Sequence, residues 1–171
     1  MWVARVDEGY VFGGLTRHGV ETLKGVPMLL ESADPRVRER LLPDTCDDVE
    51  AQEHWERHAV PELERLFLSR AALVRRDLAT MKKLPNSDTQ VLLIPDQHAN
   101  AWLAALNAAR LALFVLNDLT GELLEPDAFA GATPKQQEAM LRIHLLAEIQ
   151  SVLLGDFELD EGGSMADLGL G

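Results

Sequence analysis

Apolar residues form two short runs at the start of the chain and recur at helical spacing over most of the remainder. The apolar-rich runs Trp2–Val6 and 10–12 flank Asp7-Glu8-Gly9, whose glycine suits a positive φ, and this pattern predicts a short β-hairpin. An isolated hairpin of this size is marginally stable in water. We therefore expect it to pack against another part of the chain.

Capping residues and prolines mark the ends of the predicted helices, and most starts carry Thr or Asp as an N-cap. Pro27 should kink or split the first helix, and Pro61 should cause a kink or a restart near the middle of the third. The predicted helices cover about 17–30, 35–42, 47–81, 96–116 and 133–155.

The 96–116 segment, which Asp96 should cap, is apolar on almost every side, and this is typical of a central, buried helix. The apolar run 91–94, stopped by Pro95, could add a third strand to the hairpin. We predict a mainly α domain over 1–155, a bundle of about five helices with a small N-terminal β-hairpin. An acidic tail should follow over 156–171, which holds five acidic residues and no basic one.

Composition narrows the class of protein. The 171 residues fit one domain, and 16 Lys plus Arg against 28 Asp plus Glu give a formal charge of −12. Such a charge repels phosphate backbones and anionic lipid, so we expect neither nucleic-acid nor membrane binding. The single Cys46 excludes an internal disulfide, and no apolar run reaches about 18 residues. Residues 1–14 lack the basic start and apolar stretch of a signal peptide, so we expect no export. We expect a soluble cytoplasmic protein without a cofactor.

The charge is unevenly distributed along the chain. Residues 1–60 sum to −5, residues 61–83 to +3 and residues 84–171 to −10. The basic stretch is either a solvated helix face or a surface that binds an acidic partner, and its use in a nucleic-acid-binding regulator is the third functional hypothesis. Its candidate residues are Arg75, Arg76, Lys82 and Lys83.

Two short stretches carry a family resemblance. Arg40-Leu41-Leu42-Pro43-Asp44 precedes an acidic helix start, and Trp102-Leu103, Leu106-Asn107 and Arg110-Leu111 lie on the central helix. Together they resemble the bacterial family of unknown function DUF2017. The resemblance implies a mostly helical fold with no established activity. It also implies frequent encoding beside the adaptor that delivers N-degron substrates to the Clp protease, and hence a link to regulated proteolysis.

The sequence departs from the family pattern at two places. Cys46 stands where an aromatic residue is expected, and Phe114-Val115-Leu116 replaces a more polar stretch that usually includes an arginine. A family role that depends on this arginine would therefore be lost or altered here.

Asn107 and Arg110 are three residues apart on the most apolar helix, so they share a face and are expected to be partly buried. A buried guanidinium needs a partner, because unpaired burial costs several kcal/mol. The structural interpretation is an ion pair from Arg110 to Asp44 or Glu148, with Asn107 bonded to a free backbone group. The functional alternative is an anion-binding site built on Arg110.

His54 and His58 are spaced i, i+4 on a predicted helix, which places two imidazoles on one face. Glu53, Glu56 and Glu62 could add carboxylate ligands for a metal ion. The order of the residues differs from the zincin His-Glu-x-x-His motif, and two solvated histidines are the competing interpretation.

Catalytic motifs are absent from the sequence. Cys46 lacks a dedicated His partner, and no phosphate loop, Gly-x-Ser-x-Gly or kinase signature is present. Trp55 and Trp102 are predicted core or interface anchors, and His144 a packed core histidine. The leading hypothesis is a non-enzymatic protein-interaction or regulatory module with an unidentified protein partner, which could form a homodimer. The runner-up is a helical enzyme that binds a metal or a small anion through the histidine pair or Arg110.

Overall fold

The structure is a computed structural model that describes residues 1–45 and 47–155. Cys46 and the predicted acidic tail over 156–171 lie outside the described residues. The strands are β1 (Trp2–Val6), β2 (Gly9–Leu15), β3 (Lys82–Lys83) and β4 (Gln90–Pro95). The helices are α1 (Arg17–Leu30), α2 (Pro35–Leu41), α3 (Val49–Leu78), α4 (Ala99–Leu116) and α5 (Pro134–Leu154). The predicted mainly α fold with an N-terminal hairpin is confirmed.

The four strands form one antiparallel sheet in the order β1-β2-β4-β3. Side chains alternate between its two faces, as the pleat requires. One face, which includes Phe12, Leu92 and Ile94, joins the main core with the helices. The other face carries a small separate cluster of Val6, Val11 and Val91. The run at 91–94 is therefore part of a strand, β4. It pairs with β2, although α1, α2 and α3 lie between the two strands in the sequence.

Helix α4 occupies the centre of the bundle, where it packs against α1, α2, α3 and α5. Trp102 is fully buried, as predicted for a core anchor. The segment Asp96–Leu116 is long and apolar enough to cross a membrane by length and composition alone. Because α4 contacts four other helices, its apolar sides are buried in the protein core.

Pro27 and Pro61 lie inside continuous helices, so neither proline splits its helix. Each proline removes one backbone donor. In α1 the residues on both sides of Pro27 pack into the main core, whereas in α3 the buried core residues Ala71, Val74 and Leu78 all follow Pro61. Helix α3 ends at Leu78 rather than near Met81, because the chain turns there into β3, a strand not predicted from the sequence.

Asp96 does not cap α4, so that prediction was wrong. A 3₁₀ turn, Asp96–His98, precedes the helix, and the Asp96 carboxylate instead accepts a hydrogen bond from Arg5 at 2.7 Å. This hydrogen bond raises the pKa of the Arg5 guanidinium. The N-caps of the other helices do act as the sequence indicates: Thr133, for example, forms a reciprocal capping box with Gln136.

Candidate functional site

An apolar groove of about 420 Å³ lies where the end of α1, α2 and the middle of α3 meet. Its volume is within the range of about 300–1,000 Å³ found for ligand sites. Val37 on α2 is buried at the groove, whereas Leu68 on α3 remains 54% exposed. The apolar lining consists of Leu30, Ala33, Val37, Leu41, Leu42, Phe67 and Leu68.

Two ion pairs tie the walls of this groove to α3. Glu31, at the end of α1, accepts a hydrogen bond from Arg75 at 2.7 Å, and Arg38 on α2 donates one to Glu64. Their α3 residues are eleven positions apart, which corresponds to about 16 Å of helix. The groove is therefore open and apolar, and its rim carries both acidic and basic side chains.

The local sequence explains why the groove stays open. Asp34 caps α2 and Pro35 takes its first position, so the chain enters this short helix at a fixed angle. The Arg36 guanidinium beside Asp34 holds the pKa of that carboxyl below its usual value. Helix α2 then ends at Leu41, after only seven residues, and it packs on α4, while Leu68 on α3 stays exposed. The groove offers apolar contact and no nucleophile paired with a base.

Arg110 is half-buried, as predicted, but its partner is a different residue from those expected. One terminal nitrogen donates to Gln150 Oε1 at 2.6 Å, and Gln150 in turn donates to the Leu103 carbonyl. Within residues 1–45 and 47–155, the Arg110 Nε atom is buried without a hydrogen-bond partner. The expected ion pair to Asp44 or Glu148 is absent there.

The predicted polar core of Asn107, Arg110 and Asp44 does not form. Asn107 is exposed, because helix packing leaves one strip of α4 uncovered and Asn107 lies on it. Asp44 is also exposed and accepts a hydrogen bond from Gln52 at 2.9 Å. The prediction that His144 is a packed core histidine is wrong, since His144 lies on the exposed side of α5.

His54 and His58 do share a face of α3, with ring centroids 4.5 Å apart and a tilt of 46°. Both rings are exposed on the first half of the helix. Within the part of the chain that the structure describes, no group of three or more His, Cys, Asp or Glu residues could hold a metal ion. A metal site at His54 and His58 therefore stays a prediction, and the described residues supply no third ligand for it.

The four basic candidate residues do not form one free cationic face. Arg75 pairs with Glu31, and Lys83 pairs with Asp88 at 3.0 Å. Arg76 approaches the His98 ring at 3.5 Å, while Lys82 belongs to β3 and also has a partner. The two ion pairs reduce the charge that Arg75 and Lys83 offer to an acidic partner.

Sequence reasoning missed a buried polar cluster at the end of α3. The Asp77 side chain, only 7% exposed, accepts a hydrogen bond from Trp102 Nε1 at 2.8 Å. It also lies 2.9 Å from His98 Nδ1. The one available signal was a lone aspartate at a helical position otherwise occupied by buried residues, between Val74 and Leu78. The cluster joins α3 to the start of α4.

A family model for a domain of unknown function matches residues 10–155, which includes the groove and the buried polar cluster. The chain belongs to the DUF2017 family. No curated protein and no solved structure matches it. The resemblance drawn from residues 40–44 and the α4 residues is thus confirmed for this DUF2017 protein, and the family description assigns it no activity.

Proposed function

We propose that this DUF2017 protein is a non-enzymatic protein-interaction module that binds an amphipathic helix of a partner protein. The observation that carries the proposal is the open apolar groove between α2 and α3, with Leu68 more than half exposed at its edge. A contiguous apolar groove rimmed by polar residues is typical of a protein-interaction or ligand-binding site.

The dimensions of the groove favour a helical partner. The distance of about 16 Å between the two bridging ion pairs equals three turns of an α-helix. A helix of that length presents apolar residues at i and i+3 or i+4, which is the usual arrangement for docking into a groove. The rim carries Glu31 and Glu64 as well as Arg38, so the partner helix should carry charges of both signs beside its apolar stripe.

We also propose that this interaction takes place in the bacterial cytoplasm and serves Clp-type regulated proteolysis. The support is the association between DUF2017 genes and the adaptor gene, which the family resemblance implies. The partner would then be a component or a substrate of that pathway.

A paired set of variants tests the groove. Leu68→Glu places a charge at the groove edge, whereas Leu66→Glu makes the same change at a 46% exposed leucine on the same helix that does not line the groove. In quantitative affinity purification from bacterial lysate, we expect a protein recovered with the wild type to fall more than tenfold with Leu68→Glu. The same protein should be retained with Leu66→Glu, because only the first change buries a charge against the partner.

The partner's helix, made as a synthetic peptide, should then compete for binding in solution. Equal recovery with both variants would refute the groove as the binding site. Turnover of a small molecule by the purified protein would refute the non-enzymatic role.

A second candidate function is small-anion binding at Arg110. It is favoured by the buried Nε atom, which has no partner within residues 1–45 and 47–155, and by pairing of the guanidinium to the neutral Gln150. Titration with inorganic phosphate, followed by calorimetry, should then show binding that Arg110→Gln abolishes. Absence of heat with the wild type at millimolar phosphate would exclude this function.

A further inference from the structure

Strand β1 forms one edge of the sheet, and among residues 1–45 and 47–155 no strand pairs with its outer side. Such an edge presents backbone donors and acceptors to whatever chain can pair with it. Its five residues are Trp2, Val3, Ala4, Arg5 and Val6.

The register identifies the backbone groups that point outward. The Glu8 carbonyl accepts a hydrogen bond from the Asp96 amide, so the even-numbered residues of this segment direct their backbone groups towards β4. The odd-numbered residues of β2 then exchange backbone hydrogen bonds with the even-numbered residues of β1. The N–H and C=O groups of Val3 and Arg5 therefore face away from the sheet.

The two edges of the sheet are protected to different degrees. The opposite edge, β3, is only two residues long, and both are lysines. Short length and lysine side chains are the usual means of preventing edge pairing. The single charge on β1, Arg5, instead folds back over the sheet: its guanidinium bonds Asp96 at 2.7 Å and lies 4.5 Å from the Tyr10 ring centroid. The β1 edge is left without a charge pointing outward.

We propose that β1 pairs antiparallel with β1 of a second copy of this chain, about a two-fold axis through Ala4. In this register Val3 of each copy lies opposite Arg5 of the other, and both outward-facing residues satisfy their N–H and C=O groups. The result is a continuous sheet that crosses the dimer interface. This proposal is independent of the groove and of the function assigned to it.

The side chains favour a second copy over an unrelated segment. Trp2 is 40% exposed and lies on the same face of the sheet as Ala4 and Val6, with its ring packed on Gly13. In the two-fold register, Trp2 of one copy lies opposite Val6 of the other, which extends the outer apolar cluster across the interface. Ala4 meets its own counterpart, where a small side chain suits the short separation of a pair without hydrogen bonds.

Light scattering with size-exclusion chromatography on the full chain tests the pairing. The mass should rise with protein concentration towards about 38 kDa, twice the 18.9 kDa of one chain. Val3→Pro removes an N–H that points away from the hairpin, so it should keep the fold, shown by an unchanged circular dichroism spectrum, and abolish the dimer.

A charge-swap pair keeps the test informative if the proline variant unfolds. Ala4→Lys and Ala4→Glu each place like charges face to face and should each be monomeric, since like charges directly opposite destabilise a strand pair. Mixed in equal amounts, the two variants should form a heterodimer. Any of three results would overturn the proposal: a mass of one chain at every concentration, a dimer that Leu68→Glu dissociates and Val3→Pro does not, or no heterodimer on mixing.

Discussion

The buried contact between Asp77 and Trp102 yields the most specific stability prediction. It joins the last turn of α3 to the first turn of α4, two helices that meet in the centre of the core. The perturbation is a double-mutant cycle of Asp77→Ala, Trp102→Phe and the double variant. The cycle isolates the energy of the pair from the separate cost of removing each side chain.

The structure sets the expected magnitude. Trp102 is fully buried and its indole nitrogen lies 2.8 Å from the Asp77 carboxylate, so water cannot replace the lost partner. A hydrogen bond to a charged group contributes about 1.5–3 kcal/mol, and an unpaired buried donor costs about 1–3 kcal/mol. Each single variant should therefore lose at least about 2 kcal/mol, and the coupling energy in the cycle should be about 1.5–3 kcal/mol.

Urea unfolding followed by far-ultraviolet circular dichroism measures these values. With a slope near 2 kcal/mol per molar urea, typical of proteins of this size, a loss of about 2 kcal/mol moves the midpoint by about 1 M. Trp55→Phe is the matched control, because Trp55 is half-buried and its Nε1 atom has no hydrogen-bond partner within residues 1–45 and 47–155. The control removes the same atoms without breaking such a bond.

A coupling energy below about 0.5 kcal/mol would mean that the carboxylate and the indole contribute independently to stability, contrary to this prediction. An equal loss of stability in Trp55→Phe and Trp102→Phe would also contradict it. In that case the cost would come from lost ring volume and not from the hydrogen bond.

Two further predictions concern glycines and a capping carboxylate. Gly13→Ala should lower the free energy of unfolding, because the added Cβ would lie 1.9 Å from the Trp2 ring. Gly25, inside α1, has open space around it, so Gly25→Ala should raise the free energy of unfolding by about 0.5–1 kcal/mol in the same urea assay. The Arg36 guanidinium lowers the pKa of the Asp34 carboxyl from its usual value near 3.8, so this group adds stability above pH 3.8 that is lost as the pH falls through the lower folded value. Asp34→Ala should therefore lower the urea midpoint at pH 7, and the difference from wild type should shrink as the pH falls below about 4; a constant difference down to pH 2 would contradict the assignment.

Most helices could be predicted from the sequence because their ends carry local signals. Thr16, Asp34, Asp48 and Thr133 act as N-caps in the structure, and Gly155 ends α5 in the left-handed conformation. The prediction that Asp96 caps α4 was wrong because an aspartate before a helix can serve either as an N-cap or as an ion-pair partner. Its choice of Arg5, 91 residues away, depends on the sheet register and not on the local sequence.

The candidate site was harder to predict than the fold. The groove depends on where α2, which packs on α4, lies relative to α1 and α3, and this is a tertiary relation. Its lining consists of apolar residues that the sequence assigns equally well to a core. Arg110 was correctly placed as half-buried, but its partner is Gln150, an uncharged residue that a search for carboxylates overlooks. Asp77 was not singled out from the sequence, since periodicity marks the buried side of a helix through its apolar residues.

The pairing of β2 with β4 has a consequence for the order of folding events. These neighbouring strands, Gly9–Leu15 and Gln90–Pro95, are separated in the sequence by α1, α2, α3 and β3. The β1–β2 hairpin can form within microseconds, but it is marginal by itself and must wait for its third strand. Closing so long a loop is costly until the intervening helices have collapsed. The transition state for folding should therefore contain the intervening helices α1 and α3 in contact, with β4 added to the sheet afterwards, so substitutions in β4 should speed unfolding and leave the folding rate almost unchanged.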